Sequence, residues 1–145
     1  RAIDNGADEI DLVWNVSSFK TGFPWTKVEI AKCAKMTHDY QKLLKVIIET
    51  AYLNEVEMEE ACRLCADAGA DFVKTSTGFG PEGAKVEHIR VMRKTLPPAV
   101  GIKASGGIKT REQIVTMINA GASRIGTSSA GSIIQSIQQT NQTLY

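Results

Sequence analysis

Two lysines stand where a folded protein rarely tolerates an unpaired ammonium. Lys74 closes the apolar run Phe72-Val73 and leads into Thr75-Ser76-Thr77-Gly78, and Lys103 closes Val100-Gly101-Ile102 and leads into Ala104-Ser105-Gly106-Gly107-Ile108. A lysine at the carboxyl end of a buried strand can snorkel to water, pair with an anion, or lose its proton and become a nucleophilic amine. Two of them, each entering a loop of small, hydroxylated and glycine residues, favour the nucleophile reading and point to one shared site.

The elements that position these lysines are announced by a phrase that recurs three times. Asn5-Gly6-Ala7-Asp8 leads into Glu9-Ile10-Asp11-Leu12-Val13, Ala68-Gly69-Ala70-Asp71 into Phe72-Val73-Lys74, and Ala120-Gly121-Ala122-Ser123 into Arg124-Ile125-Gly126. Each reads as a helix end, with a left-handed glycine cap turning the chain into a strand. Leu44 to Glu49 and Ala99 to Lys103 supply two more strands. Helical spacing is present over Trp25 to Gln41, Glu55 to Ala68, Lys85 to Leu96, Arg111 to Asn119 and Ser132 to Gln138. Thr110 is a cap for the fourth of these, and Pro97-Pro98 ends the third. Arg1 to Gly6 reads as the last turn of a helix with neither a methionine nor a strand before it, so a piece of a longer chain is expected.

Composition narrows the class. A chain of 145 residues, 43% hydrophobic and 23% charged, can bury one ordinary core, and a single domain over residues 1–145 is expected. The net charge of +1, from 17 basic and 16 acidic residues spread along the chain, argues against a nucleic-acid surface or a polybasic membrane segment. Any bound anion is expected to be small. No apolar stretch approaches the roughly 20 residues of a membrane span, and no signal-peptide pattern opens the sequence. Cys33, Cys62 and Cys65 are odd in number and lie in helical patterns, which fits a reducing cytoplasm. Cys62 and Cys65 form a CxxC without a second pair or a nearby histidine, so no metal is expected.

Alternating strands and helices imply a parallel sheet with right-handed crossovers. Periodicity alone leaves a doubly wound flavodoxin-like sheet and the last five units of a (β/α)8 TIM barrel equally open. The placement of polar residues favours the barrel. Asp11, Glu49, Lys74, Lys103 and Ser128 fall near the carboxyl ends of five successive strands, and a barrel gathers all five at one mouth.

Lys74-Thr75-Ser76-Thr77-Gly78, Lys103-Ala104-Ser105-Gly106-Gly107-Ile108, Asp8-Glu9-Ile10-Asp11-Leu12-Val13 and Arg124-Ile125-Gly126-Thr127-Ser128-Ser129 together resemble the deoxyribose-phosphate aldolase family, from the first residue to about Ile134. The resemblance implies a class I aldolase on a (β/α)8 barrel. Such an enzyme interconverts 2-deoxy-D-ribose 5-phosphate with D-glyceraldehyde 3-phosphate and acetaldehyde, requires no metal or other cofactor, and is expected in the cytoplasm as a homodimer. It implies that Lys74, Lys103 and Asp11 are catalytic. Position 79 is Phe where some members carry a lysine, which shifts phosphate recognition toward backbone donors.

The residues carry the same chemistry on physical grounds. An amine forms an iminium with an aldehyde and drains electrons from the adjacent carbon. To attack, Lys74 must be neutral, and lowering its pKa from about 10.4 to about 7 takes about 4 to 5 kcal/mol. A Lys103 ammonium ~6 Å away at an effective dielectric of ~20 supplies about 3 kcal/mol, and desolvation must supply the rest. Asp11 can relay the protons of carbinolamine dehydration and enamine formation; the competing reading is that it only neutralises Lys103, and the two can coexist. Asp8 and Glu9 are expected to face the helix layer or the lower rim. Gly78, Gly106, Gly107, Gly126, Ser128 and Ser129 offer amides and hydroxyls for a phosphate, with Thr77 and Ser105 adjacent. His38 and His88 are expected at the surface or in packing, Trp14 and Trp25 in packing, and Tyr145 as a frayed end. Glu49 is either a site hydrogen-bonding group or a structural partner, and Lys45 either faces outward or lines the barrel. A phosphate-binding α/β module without catalysis, or an inactive aldolase fragment, is the alternative function.

Overall fold

The computed structural model describes residues 1–135. Along the chain run β1 (Glu9–Val13), α1 (Val16–Lys20), α2 (Trp25–Asp39), β2 (Leu43–Ile47), a 3-10 turn (Thr50–Tyr52), α3 (Glu55–Asp67), β3 (Phe72–Lys74), α4 (Val86–Thr95), β4 (Gly101–Ser105), α5 (Arg111–Asn119) and β5 (Arg124–Gly126). Residues 130–135 are helical. That helix begins before the expected Ser132, and its expected end at Gln138, like Tyr145, lies outside the described residues.

The recurring phrase acts identically at its three sites. Gly6, Gly69 and Gly121 have φ of +92°, +89° and +118°. Each glycine amide donates to the carbonyl three residues back (Ile3, Ala66, Ile118), and each following alanine amide donates to the carbonyl five back (Ala2, Cys65, Met117), at 2.9 to 3.1 Å. This paired turn consumes carbonyls that a helix end would otherwise leave orphaned and points the chain into β1, β3 and β5.

The strands pair in parallel in the order β1-β2-β3-β4-β5. A flavodoxin-like sheet would reverse its order partway, so strictly sequential order selects the barrel pattern. Curvature agrees. Arg124 Nη1 on β5 lies 2.5 Å from Glu9 Oε2 on β1, although four strand spacings in a flat sheet would separate those strands by about 19 Å. The sheet is therefore strongly curved, and side chains from its two edges meet on the concave face.

Alternation gives the two faces opposite characters. Leu44, Val46, Val73, Ile102 and Ala104 point to the convex side, fully buried with Ile30, Met58, Cys62, Cys65, Ile89 and Met92 of the helix layer. Each of the Leu, Val, Ile and Met side chains contributes about 1.5–3 kcal/mol by leaving water. The alternate residues Glu9, Asp11, Lys45, Phe72, Lys74, Gly101, Lys103 and Arg124 stand in register across the concave side. Gly101 is required there, since a Cβ would lie 2.2 Å from Phe72 Cε1, and Phe72 in turn lies under the Arg124 guanidinium, 4.4 Å from the ring centre.

Some expectations are corrected. Strand β2 stops at Ile47 because Glu49 takes a left-handed backbone (φ 39°) and the 3-10 turn follows. Helix α1 was not anticipated; five residues capped by the Asn15 side chain are too short to show a period. Trp14 is buried, donating through Nε1 to the Ile48 carbonyl at 3.0 Å, but Trp25 is 60% exposed. It opens α2, whose buried face is Thr26, Ile30, Ala34 and Thr37, so helical spacing turns Trp25 outward. His38 pairs with Asp71 (Nε2 to Oδ2, 2.8 Å) and His88 Nδ1 lies 3.2 Å from Thr50 Oγ1. Burial raises the thiol pKa of Cys62 to about 12 and pushes that of Cys65 up as well, which leaves both as packing groups.

Candidate active site

Asp11 is the hub of the concave face. Its Oδ2 accepts from Lys74 Nζ at 2.7 Å and from Lys103 Nζ at 3.4 Å, while Lys45 Nζ lies 3.1 Å from Oδ1. Beneath it, Glu9 Oε2 binds Lys45 Nζ at 2.6 Å and Arg124 Nη1 at 2.5 Å. Lys45 thus joins a lower layer, Glu9 with Arg124, to an upper layer of Asp11 with the two mouth lysines. Because they share one acceptor oxygen, the nitrogens of Lys74 and Lys103 lie no farther apart than the sum of those two contacts, about 6 Å.

The structure brings Lys74, Lys103 and Asp11 together as expected from sequence. It places Lys45 inside the barrel, 4% exposed at its side chain. Glu9 is corrected: it faces the concave interior rather than the helix layer or rim, because period-two alternation puts it on the same face as Asp11. Asp8 is exposed and pairs with Lys42 at 2.5 Å. Arg124 was missed: it stands in register beside Lys103, and only the curvature of the sheet brings it to Glu9.

Cations decide the carboxylate titrations. Burial pushes the Asp11 pKa upward, but hydrogen bonds from Lys74 and Lys45 and the charges of Lys74 and Lys103 outweigh it and hold it at about 2. Arg124, then Lys45, hold Glu9 at about 2. Both lie below their ordinary values of 3.8 and 4.5. Depressed carboxylates contribute stability that is complete above the ordinary value and lost as pH falls toward 2. The expected result is a thermal midpoint that drops from pH 4.5 to pH 2, with a shallower slope in Asp11→Asn; equal slopes in the two proteins would contradict the pairing.

Beside the lysines opens a cleft of about 340 Å³ lined by Lys74, Thr77, Gly78, Lys103, Ser105, Gly106, Gly107, Lys109, Gly126 and Ser128, among others. All the expected phosphate residues except Ser129 line it. The Ser129 amide instead donates to Thr127 Oγ1 at 2.9 Å, and Thr127 Oγ1 donates to the Ile108 carbonyl at 2.5 Å, tying the last two loops together. Ser105 is also committed, donating to the Ser76 carbonyl at 2.7 Å. Gly106 and Gly107 have φ of +86° and +74°, so side chains there would strain the loop that borders the cleft. At Gly126 a Cβ would fall 2.9 Å from Ser105 Cβ and 3.4 Å from Lys103 Cε. Lys109 is a cleft cation that the sequence motif did not single out. Among the described residues no cluster of three or more His, Cys, Asp or Glu could hold a metal ion.

A model of the DeoC/LacD family aldolases matches residues 1–135. The chain belongs to this family. It is 52% identical over 136 residues to a deoxyribose-phosphate aldolase of Thermococcus kodakarensis, covering 93% of this chain and 61% of that protein. It is 53% identical over 140 residues to one of Brevibacillus brevis, covering 96% and 62%. The chain therefore spans about three-fifths of the length of these curated relatives. Among solved structures, an aldolase named QR15 superposes with a TM-score of 0.91 at 42% identity, covering 99% of this chain and 65% of that one. The deoxyribose phosphate aldolase of Aeropyrum pernix, described as a unique tetramer, superposes with a TM-score of 0.84 at 31% identity, covering 94% and 57%. No helix among the described residues is long and apolar enough to cross a membrane.

Proposed function

We propose that the protein is a class I aldolase that reversibly cleaves 2-deoxy-D-ribose 5-phosphate to D-glyceraldehyde 3-phosphate and acetaldehyde. The observation that carries this reading is the pair of lysines converging on one carboxylate at the edge of a glycine-lined cleft.

Lys74 is the imine-forming amine. Neutral Nζ adds to the aldehyde carbon of the open-chain sugar, and loss of water from the carbinolamine leaves an iminium. The C3 hydroxyl then gives up its proton, the C2–C3 bond breaks, and its electron pair flows into the iminium to leave an enamine and release D-glyceraldehyde 3-phosphate. Protonation of the enamine carbon and hydrolysis release acetaldehyde and restore the amine. Asp11, in hydrogen-bond contact with Lys74, carries these protons directly or through a water. Lys103 faces the same Asp11 oxygen, and its charge helps hold that carboxylate ionised.

The cleft supplies the phosphate site. Gly78, Gly106, Gly107, Gly126 and Ser128 present backbone groups after three successive strands, and Lys109 adds a cation to the cleft where Phe79 offers none. Self-association, as a homodimer or larger oligomer, and a cytoplasmic location complete the proposal. A phosphate-binding module without catalysis would leave the Lys74–Asp11–Lys103 cluster without a use.

The direct test is to incubate the complete protein with 2-deoxy-D-ribose 5-phosphate in a chelating buffer and assay both products; absence of acetaldehyde would overturn the reading. Lys103→Leu is expected to lower turnover near pH 7 by up to about 100-fold, as loss of a proton-handling or charge-positioning group does. Unchanged turnover would refute a role for Lys103 in the chemistry.

A further inference from the structure

Glu49 is a buried carboxylate that the proposed chemistry does not use. It is 5% exposed and held in a left-handed backbone two residues past β2, where the 3-10 turn begins. Its Oε2 accepts from both the amide (3.1 Å) and the hydroxyl of Thr77, and Thr77 Oγ1 in turn accepts from the Phe79 amide at 3.0 Å. Its Oε1 has no partner, and no cation pairs with it among the described residues. Gly80 closes over it so tightly that a Cβ there would lie 2.8 Å from Oε1.

These bonds consume the two amides that flank Gly78. Gly78 itself lines the cleft at φ +97°, with nothing within 4 Å of the position its Cβ would take. Its amide is the one in the Thr77-Gly78-Phe79 turn with no protein acceptor among the described residues. A carboxylate this near an anion site works against the anion by repulsion, so its value lies in what it does to the loop. One carboxylate oxygen taking two donors fixes a turn that has little packing of its own, since Phe79 is 98% exposed.

We propose that Glu49 is a positioning residue for phosphate recognition: through Thr77 it locks the turn so that the Gly78 amide is presented to the phosphate of the substrate. The inference rests on the cleft being the phosphate site. It predicts a selective defect. In the complete protein, Glu49→Gln leaves two donors facing a weaker acceptor, and the KM for 2-deoxy-D-ribose 5-phosphate is expected to rise about tenfold while kcat/KM for unphosphorylated 2-deoxyribose stays within about twofold. Gly80→Ala, which displaces the carboxylate without removing it, is expected to give the same selective loss, and it carries the test if Glu49→Gln does not fold. An equal fall for both substrates, or no change for either, would overturn the role of Glu49. If the unsubstituted protein shows no preference for the phosphorylated sugar, the phosphate site itself is wrong, which is a separate failure visible before any variant is made.

Discussion

Lys74→Arg is expected to reduce cleavage of 2-deoxy-D-ribose 5-phosphate by at least about 10⁴-fold, because a guanidinium stays protonated and cannot form an imine. The substitution keeps a cation opposite Asp11, whose Oδ2 lies 2.7 Å from the Lys74 ammonium. The anchoring charge pair therefore survives, and the thermal midpoint is expected to hold within a few degrees. Loss of turnover without loss of fold separates the amine's chemical role from its electrostatic one. Retention of more than about 1% of turnover would mean that another amine carries the reaction.

Asp11→Asn is the second large effect. Removing the carboxylate leaves Lys45, Lys74 and Lys103 without their common anion, and turnover is expected to fall by about 10²–10⁴-fold, the range for a lost proton relay. Two consequences oppose each other. The Lys74 amine itself is untouched, so imine formation with acetaldehyde persists. Proton movement at the enamine carbon is what fails. The checking measurement is exchange of the acetaldehyde methyl protons with D2O, followed by NMR: slow exchange is expected while the imine still forms. Exchange at the unsubstituted rate would remove Asp11 from the proton relay and leave it only the neutralising role.

How much was legible in the sequence depended on the range of the interaction. The glycine caps at Gly6, Gly69 and Gly121 could be read because a left-handed helix end is a local event written in two or three residues. Lys74, Lys103 and Asp11 could be read because each interrupts an apolar run. Glu9, Lys45 and Arg124 were not fully legible because a charge near the start of a strand looks like a rim residue. Only the curvature that brings β1 to within side-chain reach of β5 makes it interior. Ser129 illustrates a finer limit: its motif looks like a phosphate loop, but its amide is already taken by Thr127 Oγ1. Glu49 is the clearest case. Nothing in Ile48-Glu49-Thr50 signals a left-handed glutamate, and its bonds to Thr77 join residues 28 apart.

The sequential strand order also explains why the lysines meet. Lys74 stands directly opposite Lys103 on adjacent parallel strands, and with period-two alternation both must share the concave face with Asp11. A single-residue slip in β3 would turn Lys74 into the helix layer and exchange it for Val73, which is fully buried. The chemistry therefore depends on register as strictly as on residue type.

The measurement that most directly tests the central claim is reductive trapping. The complete protein is treated with acetaldehyde and sodium borohydride, digested, and its lysines are mapped by mass spectrometry. An ethyl adduct on Lys74 is expected, with Lys45, Lys103 and Lys109 unmodified at the same dose and the adduct yield tracking the loss of activity. An adduct on Lys103 in place of Lys74, or full turnover with Lys74 unmodified, would contradict it.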